Sequence, residues 1–321
     1  MARNVTPARG TCNWCSPEQT SSGRTVSAAT ASPLGSSRTL IYEASRPPST
    51  LSRRSLISRP DTAVPLATAP NLRDLGGWPT AHRGVVRRGQ VYRSAGLHRL
   101  AGTDAESFAH LGIRVVYDLR TARERQARPD NLSTDIRTVA LDVLADSSDA
   151  AVAHLGDVGV DASTLNETLA AGVGEGLMRD SYRDVVTLPS ALSAYHDLYA
   201  GIADPRQRPV LFHCTTGKDR TGWGAAALLL LLGVDEQSVR DDYLQTNSDL
   251  LPALAPIIDD LVSRGVERDL LLPVLEVREE YLDTALEQMR SRYGTIENYF
   301  TAGLHLHEHM IDSLRDALVQ R

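Results

Sequence analysis

Cys214 and Arg220 stand six positions apart in the run Val210-Leu-Phe-His-Cys-Thr-Thr-Gly-Lys-Asp-Arg-Thr-Gly222. An apolar triplet precedes the cysteine and an apolar run, 223 to 234, follows the arginine, so the spacing reads as strand, loop, helix. Five intervening residues make a loop whose backbone N–H groups converge on one tetrahedral oxyanion, with the helix N-terminus adding positive potential. Thr215, Thr216, Gly217, Thr221 and Gly222 are the candidate binders of that oxyanion, and Arg220 is placed to grip two of its oxygens in bidentate fashion. The same field, with Lys218, favours the nucleophilic thiolate at Cys214, which would attack phosphorus and carry a phosphocysteine. Lys218 is the single lysine of the chain, and it falls inside this loop. A lone cysteine reads as a small buried hydrophobe, but His213, Gly217, Lys218, Arg220 and Thr221 are odd company for a core position. A nucleotide-binding P-loop is excluded, because Asp219 follows Gly217-Lys218 where Ser or Thr is needed and Phe212 holds the upstream glycine position.

Such a loop needs a scaffold. Val91-Tyr92-Arg93, Ile113 to Leu119, Arg137 to Asp142 and Val210-Leu211-Phe212 read as strands. Thr103-x-x-Glu106 and Thr121-x-x-Glu124 read as capping boxes, opening helices that stop at Gly112 and before Pro129. Helical periodicity runs from Met178 to Ala203, broken at Pro189. Residues 145 to 175, rich in Ala, Gly and Asp, read as an insertion or mobile segment of no assignable fold. Beyond Asp235 several amphipathic helices are expected, punctuated by Pro252, Pro256, Pro273 and Gly294. Strands alternating with helices predict an α/β fold: a mainly parallel central sheet flanked by helices, with a helical C-terminal third.

Composition narrows the field. The 321 residues carry 34 Lys plus Arg against 40 Asp plus Glu, a net charge of -6. Residues 1–62 hold eight arginines and three acids in a Ser-, Thr- and Pro-rich stretch without hydrophobic period, and read as a disordered arm of charge +5. The remaining 63–321, expected as one catalytic domain, then carry -11, which argues against nucleic acid as a partner. Three cysteines, 12, 15 and 214, make no disulfide framework, so a reducing, cytoplasmic setting is expected. The longest apolar run, Trp223 to Val234, is too short to cross a bilayer. Cys12-x-x-Cys15 lacks a second ligand pair, and of His305, His307 and His309 only the first and last share a face if helical. No metal and no cofactor are expected.

The loop HCTTGKDRTG resembles the signature of the Cys-dependent tyrosine and dual-specificity phosphatases, most of all the bacterial branch typified by mycobacterial protein tyrosine phosphatase B. Asn71-Leu-Arg-Asp-Leu-Gly-Gly77, Arg88-Gly-Gln-Val-Tyr-Arg-Ser94, Asp118-Leu-Arg120, Asp242-Tyr243 and Tyr293-Gly-Thr-Ile-Glu-Asn-Tyr299 also look like that branch, over about 69 to 320. Thr215 and Thr216 stand where the family often has larger or apolar residues. The resemblance implies a Cys-phosphatase fold and metal-independent hydrolysis of phosphomonoesters in phosphorylated proteins or phosphoinositides.

A departing alkoxide or phenoxide needs a proton. Trp78-Pro79-Thr80 has the frame of the acid-bearing loop of many Cys phosphatases without the acid. The resemblance implies Asp219 for the role. Its alternative is to accept from loop N–H groups or from Arg73. Asp118, at a strand's C-terminal end, is the reserve, with the further option of orienting Arg220, and Asp74 follows. Thr221 divides between donating to the Cys214 sulfur and capping the helix. His213 reads as a buried support of the loop, and Glu124 as a capping-box partner. Three rival functions stay open: a phosphoinositide phosphatase with Lys218 on ring phosphates, a non-catalytic phosphate-binding module, and arsenate reduction or sulfur transfer.

Overall fold

The computed structural model describes residues 60–81, 83–147 and 161–321. Its strands are, in chain order, β1 Arg73–Asp74, β2 Val85–Val86, β3 Val91–Ser94, β4 Val115–Asp118, β5 Arg137–Ala140, β6 Val210–His213 and β7 Val319–Gln320. The central sheet has the order β1-β3-β6-β4-β5, parallel throughout except for β1, while β2 and β7 pair separately. Strand β6, late in the chain, lies between β3 and β4, with Val210 opposite both Val91 and Val115. A parallel strand in that position is covered on both faces, which is why β3, β4 and β6 are buried throughout. Alternate residues supply two cores: Val91, Val115, Tyr117, Val210 and Phe212 face one, and Tyr92, Val116 and Leu211 face the other with Leu97, Leu100 and Phe108.

Eleven α-helices surround the sheet among the described residues: α1 Gly102–Ala109, α2 Ala122–Ala127, α3 Ala162–Leu169, α4 Val173–Thr187, α5 Pro189–Ala203, α6 Arg220–Leu231, α7 Glu236–Ser263, α8 Arg268–Leu275, α9 Glu279–Tyr293, α10 Ile296–Asn298 and α11 Glu308–Leu318. The site-bearing helix, α6, is apolar all round because neighbours enclose it. Tyr195 and Tyr199 of α5 donate to the carbonyls of Arg220 and Gly224 at 2.7 and 2.8 Å. Gly224 allows that closeness, since a Cβ there would meet the Tyr195 ring at 3.2 Å, and Gly222 admits the Tyr243 ring of α7 in the same way. Pro189 breaks the predicted helix at Leu188 and starts α5 as its first residue, where no N–H is needed.

Four expectations are revised. The first capping box does not form: α1 starts at Gly102 after Ala101, and Asp104 instead accepts from the Thr68 N–H and hydroxyl. In the 145–175 segment, residues 148–160 lie outside the described residues, but α3 follows directly, capped by Asp161, and α4 begins at Val173. Pro252 and Pro256 do not divide helices. Both lie inside the 28-residue α7, and Pro273 lies inside α8. Finally, the chain's last residues form β7 rather than continuing α11. The second capping box forms as predicted, with Thr121 and Glu124 exchanging both bonds. Residues 1–59, with Cys12 and Cys15, lie outside the described residues. Thr62 is buried, and its carbonyl accepts from the Asp74 N–H at 2.9 Å.

Candidate active site

Residues 214–219 link the end of β6 to the start of α6, at the C-terminal edge of the parallel strands where open α/β sheets bind ligands. Gly217 is the residue the turn demands: its φ is +70°, and a Cβ there would fall 2.3 Å from the Ser94 carbonyl oxygen. Cys214, at the strand's exit, is 1% exposed. Arg220, the first residue of α6, lays Nη1 and Nη2 against the two oxygens of Glu124 at 2.7 and 2.8 Å. That fork uses the end of the guanidinium, and the edge carrying Nε makes no hydrogen bond among the described residues. Such an edge is the bidentate donor a phosphoryl group requires.

Glu124 therefore does more than its motif implies. Its carboxylate closes the capping box on the Thr121 N–H, accepts from the Thr215 hydroxyl, and holds Arg220. Burial alone would raise its pKa, but hydrogen bonds and charge from Arg220, with Thr215 and Thr121, hold it at about 2. The sequence identified the residue and its cap. The partner 96 positions away left no local signal.

Lys218 and Asp219 form a second pair. The Lys218 ammonium is 2.8 Å from Asp219 Oδ1 and 3.9 Å from the Met178 sulfur, and the residue is 4% exposed. The Tyr182 hydroxyl donates to the same Oδ1 at 2.9 Å and lies 2.6 Å from the Tyr243 hydroxyl. Burial, with the Asp219 charge beside them, keeps both phenols protonated far above their ordinary range. With two donors on Oδ1, Oδ2 is the oxygen with no hydrogen bond among the described residues. Arg73, a partner considered for Asp219, pairs instead with Asp242. Thr221 is wholly buried in the first turn of α6. Its hydroxyl has no hydrogen-bond partner among the described residues, and the N-cap position belongs to Asp219. Thr216 contributes its carbonyl to a bond from Asn71, and Gly222 lies against the Tyr243 ring.

Asp118 does not reach Arg220. It is 2% exposed and bound by Arg120, whose Nε and Nη2 sit 2.8 and 2.7 Å from its two oxygens. The same Nη2 lies 2.7 Å from Asp130 Oδ2, which is 3.1 Å from His213 Nε2. Asp118, Asp130 and His213 are the one trio of potential metal ligands among the described residues. The Arg120 guanidinium fills the place a cation would take between the two carboxylates. His307 is the residue before α11, so the three histidines do not share one helix, although the rings of His307 and His309 stack at 5.6 Å. Asp74 accepts from the Gly76 and Gly89 N–H groups and shapes a turn. Trp78 is buried in the main core.

Strand, loop, buried cysteine and helix-start arginine have the arrangement of the Cys-phosphatase fold, and residues 64–320 match the tyrosine phosphatase family, to which the chain belongs. Among its relatives is the triple specificity protein phosphatase PtpB of Mycobacterium tuberculosis, 30% identical over 264 residues covering 73% of this chain and 91% of that protein. A Cupriavidus necator protein named as a tyrosine-protein phosphatase is 30% identical over 242 residues, 74% of this chain and 82% of its own. A tyrosine-protein phosphatase of Nostoc commune matches at 30% over 165 residues, about half of each chain (51% of both).

Proposed function

We propose that this protein tyrosine phosphatase hydrolyses phosphomonoesters through Cys214, with phosphotyrosine in proteins as the principal substrate. One observation carries the reading: a buried cysteine and an arginine fixed by Glu124 flank a single loop at the sheet's C-terminal edge. The thiolate attacks phosphorus, and the ester P–O bond breaks while Asp219 gives its proton, from Oδ2, to the leaving oxygen. Water then attacks phosphorus, the P–S bond breaks to restore the thiolate, Asp219 takes a proton from the water, and inorganic phosphate leaves. Arg220 and the loop N–H groups hold the phosphoryl oxygens through both steps. The chemistry needs a reduced thiol, which fits a cytoplasmic setting. No helix among the described residues is long and apolar enough to cross a membrane.

The burial of Lys218 and its bond to Asp219 favour a role within the loop over contact with a second phosphate at the rim. Phosphotyrosine peptides should therefore be turned over faster than phosphoserine peptides or phosphoinositides when assayed side by side. Cys214→Ser tests the mechanism: turnover of an aryl phosphate should vanish while vanadate or phosphate still binds, because a serine hydroxyl is not ionised at neutral pH. Turnover above about a few per cent in that variant excludes the covalent route.

A further inference from the structure

A loop that binds an oxyanion through its N–H groups must turn them inward, and across a trans peptide an inward N–H means an outward carbonyl. No peptide of the loop is cis. Each outward carbonyl buried behind the loop needs a donor of its own. Four successive carbonyls are met from outside. His213 Nδ1 lies 3.0 Å from the Cys214 oxygen, and the Gly96 N–H donates to Thr215 at 3.1 Å. Asn71 Nδ2 donates to Thr216 at 3.3 Å and to Gly217 at 3.0 Å. Arg93 Nη2 adds a second donor to Gly217, at 2.7 Å.

We propose that Asn71 and Arg93 are positioning residues of the oxyanion loop, turning the peptide planes after Thr216 and Gly217 so that the N–H groups of Gly217 and Lys218 face the phosphoryl group. The proposal rests on the reading of 214–220 as a phosphate site. Two charged or amide donors on one carbonyl exceed what satisfying it requires. They also fix its direction from two sides.

The orientation of both side chains is determined behind them. Asn71 has φ 61°, a left-handed conformation that asparagine accepts more readily than most residues. Its Oδ1 accepts from Arg73 Nη1, which obliges Nδ2 to face the loop. Arg73 Nε and Arg93 Nη1 share one carboxylate, Asp242 of α7, at 3.0 and 2.9 Å. Both arginines are 0% exposed. Burial and the charge of Arg73 pull Arg93 down to about 10, leaving it charged at neutral pH. Asp249 lies 3.6 Å from Arg73, so the anchor faces carboxylates on its far side and the loop on its near side.

Asn71→Asp in the full chain separates positioning from bulk stability. An aspartate tolerates the same backbone and still accepts from Arg73, but it presents oxygen to carbonyls that need a donor. Its inhibition constant for vanadate and its KM for an aryl phosphate should both rise about ten- to a hundredfold, the effect of losing aligned oxyanion donors. The thermal midpoint should fall by only about 2–12 °C, the cost of a buried carbonyl left without its donor, with the protein still folded at assay temperature. Asn71→Gly, which deletes the donor at a φ that glycine favours, should weaken vanadate binding similarly and serves if the aspartate does not fold. Vanadate affinity within about threefold of wild type in a folded Asn71 variant overturns the proposal. A wild type that hydrolyses aryl phosphates and binds vanadate while the variants do too removes this inference alone. A wild type that binds no vanadate removes the phosphate reading of the loop, and the inference with it.

Discussion

Glu124 holds the Arg220 guanidinium with both oxygens and caps α2 with one of them, so its protonation state affects both. Its pKa is held at about 2, below the ordinary 4.5, so the stability it contributes is complete above about 4.5 and is lost as pH falls towards 2. Glu124→Gln should lower the thermal midpoint at pH 7 and converge on wild type as the pH approaches 2, which thermal melts across that range would show. It should also raise KM for aryl phosphates by about tenfold or more, as a charge-assisted fork becomes a neutral contact. Leaving kinetics untouched would mean Arg220 orients itself. Asp219→Asn should slow poor leaving groups far more than good ones, as rates across a series of aryl phosphates would show. Asp118→Asn should instead lower stability without that leaving-group signature, since Asp118 is locked to Arg120. At this scale the spacing of Cys214 and Arg220 was readable because it is local. Glu124, Tyr182 and Asn71 were not readable as site residues, because each meets the loop across dozens of positions and no periodicity encodes that meeting.

The alternation of strand and helix was readable from apolar runs and from Thr121 with Glu124, since both signals are short-range. Helix α7 was not. Prolines normally end helices, yet Pro252 and Pro256 are exposed and four residues apart, so the carbonyls they leave unpaired, those of Ser248 and Pro252, lie where water reaches them. Burial of Val239, Tyr243, Leu250 and Ile258 on the same helix outweighs the two lost bonds. Pro252→Ala should therefore raise the thermal midpoint, by about 2–4 °C for each kcal/mol of helix restored. A fall would mean that the ring's stiffening of the unfolded chain is the larger effect. Strand β7 escaped prediction because two residues carry no period, and their strand partner β2 lies more than 200 positions earlier.

Across the whole molecule, the loop depends on donors and carboxylates from residues 71, 93, 124 and 182, and on Asp242 behind them. Acidic composition and chain length said nothing of that convergence. The insertion of β6 between β3 and β4 also sets an order in time. As the chain leaves the ribosome, β3 and β4 emerge more than 90 residues before their shared neighbour and have no permanent partner along those edges. Unpaired parallel edges are slow to close and prone to pair with other chains. The nascent protein thus waits with a slot open in its sheet, and the strand that fills the slot is the one that delivers Cys214. Placement of Cys214 and completion of the sheet arrive in the same event, so a chain halted before residue 210 has neither, and chaperone dependence should be greatest just before the thiol is in place.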